Sequence, residues 1–214
     1  MVWYALLAVA GYLIGSVPFG LYVIRYSCSR GGLPTNRASA NVGPLDLYRR
    51  SGRDRRLGGV AFLLELVKGF LPTFTGYLAL GTPGAVSGGS AALVGHNFPV
   101  FGRLRGSNSV APLLGVLLAV YPIVVVILGM VWTATLAAWR YASLAALVTA
   151  AVSPLALAAL DAGRSHENLV ILAAVFWSLL VFFAHRKNIR KLASGREARI
   201  DKPVDEVRRG RRVR

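Results

Sequence analysis

Long, nearly uncharged apolar runs constrain this chain more than any other feature. The first covers residues 2–24, VWYALLAVAGYLIGSVPFGLYVI. A helix rises about 1.5 Å per residue, so about 20 such residues are needed to cross the roughly 30 Å hydrocarbon layer of a bilayer. No basic residue precedes the run and no small-residue cleavage pattern follows it, so it reads as a span rather than a removable leader. Further apolar runs occupy residues 57–80, 85–101, 110–139, 142–160 and 168–184. Apolar residues make up 55% of the chain, too many for a soluble domain with so few charges between them.

The 110–139 run is 30 residues long, and Tyr121-Pro122 interrupts it. Proline suits the first turn of a helix and disrupts its interior, so this run divides into two helices. Charge supports the division. With seven spans, one face of the membrane receives 23 of the 25 Lys and Arg residues, the other only Arg164, and Lys68 lies inside a span. Basic residues concentrate in short cytoplasmic loops and flanks, so the expected fold is an all-α, integral membrane bundle of seven transmembrane helices. Its N-terminus is outside and its C-terminus cytoplasmic. Residues 1–192 form the membrane domain. Residues 193–214 are basic, with few apolar residues, and are expected to be a disordered tail. The net charge of +16 therefore reflects topology, and no nucleic-acid partner is expected.

Polar residues inside or beside the spans are the candidate functional groups, because burying them in hydrocarbon is costly. Glu65 and Lys68 lie three apart on one helical face, where they can pair; alternatively Lys68 faces an anionic ligand. His96, in LVGHNFPVF, sits near the end of the third run. His185 and Asn188 share a face where the last span meets the basic tail. Between two spans lies GRLRGSNSVAP, residues 102–112, basic at one end and rich in small polar residues. The chain has neither a Gly-x-x-x-x-Gly-Lys-Ser/Thr loop nor a Gly-x-Ser-x-Gly elbow. One Cys excludes an internal disulfide, and three widely separated His offer no zinc-binding pattern.

Five strings in order, GSVPFG (15–20), ASANVGPLDLYRRSG (38–52), ELVKGFLP (65–72), GHNFPVFGRLRGSNSVA (95–111) and HRKNIRKL (185–192), resemble one family. It is the bacterial acyl-phosphate:glycerol-3-phosphate acyltransferases of PlsY type. The resemblance runs from residue 11 to about 200. It implies a bacterial inner-membrane enzyme with its site facing the cytoplasm, acting in phospholipid biosynthesis. Such an enzyme passes an acyl chain from acyl phosphate to glycerol 3-phosphate, giving lysophosphatidic acid, with membrane lipids around it and no cofactor or metal. Both substrates are phosphates, so glycines, backbone amides and cations suit the site. Carried over residue by residue, the resemblance assigns catalysis to Ser39, His185 and Asn188. It assigns substrate binding to Asn41, Gly43, Arg49, Arg105, Gly106, Ser107, Asn108 and Ser109. Lys68 and His96 join that group.

The chain departs from the family pattern at defined places. Ala38 and Ala40 replace glycines of the first loop, Leu45-Asp46 replaces Thr-Asn, and Lys187 replaces an acidic residue. Asn108 stands where the family has a phosphate-neutralising lysine. These changes carry the alternative expectation of a catalytically impaired paralogue that binds a lipid or a partner protein.

Overall fold

The computed structural model describes residues 1–29, 43–51, 54–102, 108–161 and 166–200, and every regular element among them is helical. The first apolar run is two helices, α1 (Val2–Ser16) and α2 (Phe19–Ser29). The break falls inside the run read from the sequence as one span, and the two helices together still form a single stretch, Val2–Ser27, long and apolar enough to cross a membrane. Pro18 has no backbone N–H, and the residue before a proline favours extended geometry; Val17 takes φ −66°, ψ 121°. A short α3 (Pro44–Arg50) starts with proline in its first turn.

The next run, α4 (Arg55–Asn97), folds back on itself. Helical geometry fails at Leu80 and Gly81, and Gly81 adopts φ 64°, ψ −153°, a combination reserved almost entirely for glycine. The limbs 55–79 and 82–97 then pack antiparallel at backbone contact. A Cβ added to Gly76 would lie 2.3 Å from the Gly84 carbonyl oxygen, and one on Gly88 2.3 Å from that of Pro72. Such close approach between small residues is how helices associate where lipid removes the hydrophobic drive. Helix α1 runs alongside limb 82–97 in the same direction: Gly11 meets Gly88, Gly15 meets Ala92, and the Tyr12 hydroxyl donates to the Phe98 carbonyl at 2.9 Å.

The remaining helices are α5 (Val110–Val120), α6 (Pro122–Trp139), α7 (Ala142–Asp161), α8 (Glu167–Ala184) and α9 (Arg186–Ala193). The break between α5 and α6 falls at Tyr121-Pro122, as the sequence predicts. Helix α5 crosses limb 55–79 where Gly69 abuts Pro112 and Gly115 abuts Leu66. The main core joins limb 82–97 to α5, α6, α7 and α8 through Leu93, Leu117, Leu128, Leu157 and Trp177. A second cluster of Val23, Ile24, Leu47 and Ala61 seats α3 against α2 and the start of α4.

Large apolar side chains remain outside, among them Leu78, Val126, Leu155, Leu172 and Leu179. That surface suits lipid. Among the described residues four helical stretches are long and apolar enough to cross a membrane, or five if the bent α8–α9 pair counts as one span.

Candidate active site

The hairpin of α4 brings together side chains that are distant in sequence. The Lys68 ammonium lies 2.8 Å from Glu65 Oε2 on the same helical face. His96, from the opposite limb, places Nδ1 3.0 Å from that carboxylate oxygen and 3.3 Å from Lys68 Nζ. Residues 65, 68 and 96 are all buried, and the Phe19 ring of α2 covers Lys68 at 5.4 Å. The carboxylate compensates the buried cation, so the 65–68 spacing yields the pair expected of it. Lys68 and His96 thus face Glu65 and each other. Sequence reasoning singled out all three residues and paired Glu65 with Lys68, but did not bring His96 to them, because no local pattern ties position 65 to position 96.

The second group forms where α8 ends. Helix α9 leaves it at 62°, and His185 sits at the bend, 1% exposed. Its Nδ1 lies 2.9 Å from the Val181 carbonyl, so Nδ1–H donates and Nε2 is left as the acceptor of the neutral ring. Burial lowers the His185 pKa from its usual value, opposed by the Val181 carbonyl and the Glu197 carboxylate. Asn188, one turn into α9, donates from Nδ2 to Ser143 Oγ at 3.0 Å and to Glu197 Oε1 at 3.1 Å. The Ser143 hydroxyl donates to the same Glu197 oxygen. Sequence reasoning missed both Ser143 and Glu197. No local pattern tied either residue to Asn188, and Glu197 is one of four acidic residues in the basic tail.

The loop residues are placed in part. Gly43 is the residue before α3, with φ −72°, ψ 165°, and Arg49 lies on α3. Asn108 is exposed, whereas Ser109 is fully buried and its hydroxyl has no hydrogen-bond partner among the described residues. Ser39, Asn41, Arg105, Gly106 and Ser107 lie outside the described residues. Among the described residues no group of His, Cys, Asp and Glu could hold a metal ion.

These groups occupy one end of the bundle. Ser16 Oγ approaches the Gly95 carbonyl at 3.4 Å, beside His96. Phe98 packs on Phe183 with ring centroids 5.5 Å apart, which sets the foot of limb 82–97 beside the foot of α8. Higher up, Trp177 Nε1 donates to Ser90 Oγ at 2.8 Å and holds the same two helices in register. Asn188 bonds Ser143 at the start of α7, so the α6–α7 connection with Arg140 joins this end as well. The opposite end holds the Leu80-Gly81 turn and the start of α1, where Trp3 and Leu6 line a pocket with Thr75 and Leu80.

Comparison with known proteins gives a consistent result. A family described as Glycerol-3-phosphate acyltransferase matches residues 5–195. Glycerol-3-phosphate acyltransferase of Rhizobium meliloti (strain 1021) is 36% identical over 196 residues, 90% of each chain. That of Methylorubrum extorquens (strain PA1) is 36% identical over 204 residues, 94% of this chain and 95% of the relative. Among solved structures, PlsY, an integral membrane glycerol 3-phosphate acyltransferase in its glycerol 3-phosphate form, superposes with a TM-score of 0.79 at 32% identity. The match covers 92% of this chain and 95% of that one. The lysophosphatidic acid form gives 0.78 at 30% identity, covering 92% and 94%.

Proposed function

The chain belongs to the glycerol-3-phosphate acyltransferase family, and from that premise we propose how its own residues carry out the reaction. It is a membrane acyltransferase that takes glycerol 3-phosphate as acceptor and acyl phosphate as donor. The acceptor hydroxyl oxygen attacks the acyl carbonyl carbon. The new ester C–O bond forms as the bond from that carbon to the phosphate oxygen breaks, and the departing phosphate takes up the hydroxyl proton. The donor is a mixed anhydride with a good leaving group, so positioning and charge stabilisation are enough, without a covalent enzyme intermediate.

In this reading Ser39, Asn41 and Gly43 hold phosphate through hydroxyl, amide and backbone N–H groups, with Gly106, Ser107 and Ser109 doing the same from the second loop. Arg49 and Arg105 supply charge. Asn108 gives a neutral hydrogen bond in place of an ammonium. His185 and Asn188 orient the reacting groups. Lys68 and His96 support them from beneath, through the hairpin that carries the second loop.

The bundle crosses the membrane seven times, α4 contributing two passes and α5 a short one, with the N-terminus outside and the site in the bacterial cytoplasm. The single observation that supports this most is the gathering of His96, Ser143, His185 and Asn188 at one end, the end where, among the described residues, the helix-flanking Lys and Arg also lie. The impaired-paralogue alternative gains no support from relatives that match over nine-tenths of the chain.

The test is lysophosphatidic acid formation by purified protein in lipid, supplied with palmitoyl phosphate and glycerol 3-phosphate. The Asn108→Lys variant should turn over about 10- to 100-fold faster, the worth of one charged hydrogen bond to phosphate. A slower Asn108→Lys enzyme would remove the second loop from the phosphate site.

A further inference from the structure

The described chain continues beyond α9 as residues 194–200, and these turn back onto the α6–α7 connection. Gly195 permits the turn with φ 65°. The Arg196 amide then bonds the Lys191 carbonyl at 2.7 Å, and the Ile200 amide bonds the Arg140 carbonyl at 2.9 Å. The Arg199 guanidinium lies 6.0 Å over the Tyr141 ring. Between these pins the Glu197 carboxylate meets Asn188 and Ser143. Through these two bonds the carboxylate joins the strap to the start of α7 and to the first turn of α9.

A carboxylate only accepts hydrogen bonds, so it decides which end of the Asn188 amide faces it. With Nδ2 turned to Glu197 and Ser143, Asn188 Oδ1 points away from that pair. A flipped amide would set two acceptor oxygens against each other. We propose that Glu197 is a positioning residue of the acyl-transfer site: it fixes the Asn188 amide so that its carbonyl oxygen accepts a hydrogen bond from the acceptor alcohol. Ser143 shares the Glu197 oxygen and keeps the carboxylate in place. The inference rests on the reading in which Asn188 lines the site. It gives the strap a role in substrate alignment, and it assigns Asn188 to the alcohol rather than to a phosphate.

A reciprocal pair of substitutions tests it in the full-length protein in lipid, with palmitoyl phosphate and glycerol 3-phosphate as substrates. Glu197→Ala should lower kcat about 10- to 100-fold while leaving KM for palmitoyl phosphate unchanged. Asn188→Asp should be equally impaired, because two carboxylates then oppose one another. Asn188→Asp combined with Glu197→Gln should recover at least tenfold over Asn188→Asp alone, since the Gln amide donates to the new carboxylate. A strap with a purely structural role would lower thermal stability, show no such recovery and change both kinetic constants together. A fully active Glu197→Ala, or a double variant no better than Asn188→Asp, overturns the inference while Asn188→Ala stays inactive. A fully active Asn188→Ala overturns the site assignment itself.

Discussion

Glu65 decides whether two other residues are tolerable. Its carboxylate lies within 3.0 Å of both Lys68 Nζ and His96 Nδ1, in a pocket closed by Phe19. Removing one partner of a buried pair leaves the other uncompensated, which costs about 3–5 kcal/mol. Glu65→Ala should therefore destabilise the protein by about that amount in detergent denaturation. Glu65→Ala with Lys68→Met should recover most of it, and a stable single variant would contradict the pairing. His185 gives a second prediction at this scale. Burial lowers its pKa in the fold, so the unfolded chain takes up a proton first as pH falls. Its contribution to stability is fully present above about pH 6.5 and is lost as pH drops from there toward the lowered value. Melting temperatures measured from pH 8 to pH 5 should fall less steeply in His185→Gln than in the parent (pH range about that of imidazole titration).

At the scale of helices, stability comes from backbone contact. A Cβ on Gly115 would lie 2.0 Å from the Leu66 carbonyl oxygen, and backbone on both sides leaves it nowhere to go. Gly115→Val should cost about 1–3 kcal/mol or more, and Gly81→Ala about 1–3 kcal/mol through its positive φ. Gly59 meets nothing within 4 Å, and Gly59→Ala should stabilise by about 0.5–1 kcal/mol. Thermal unfolding of the three variants separates these cases. The breaks that punctuate the bundle were legible where a local signal marks them. Tyr121-Pro122, Arg140-Tyr141 and the Gly/Pro turn near residue 81 all interrupt apolar runs, and each ends a helix. Pro18 carried the same signal, but the apolar side chains around it masked the end of α1. His96 beside Glu65, and Glu197 beside Asn188, had no local signature. The first depends on the hairpin closing and the second on a strap whose composition reads as a solvated basic tail.

For the molecule as a whole, the arrangement divides along its length. One end carries an apolar turn and the start of α1. The other carries the α4 foot, the α6–α7 connection, the α8–α9 bend and the strap. An enzyme joining a lipid-soluble acyl donor to a water-soluble phosphate needs such an end, where a span meets its basic flank. The most direct measurement of that claim is phosphate release from palmitoyl phosphate by the purified protein in lipid, with and without glycerol 3-phosphate. The account predicts release that depends on glycerol 3-phosphate and is matched mole for mole by lysophosphatidic acid. Release that is absent, or indifferent to glycerol 3-phosphate, would contradict it.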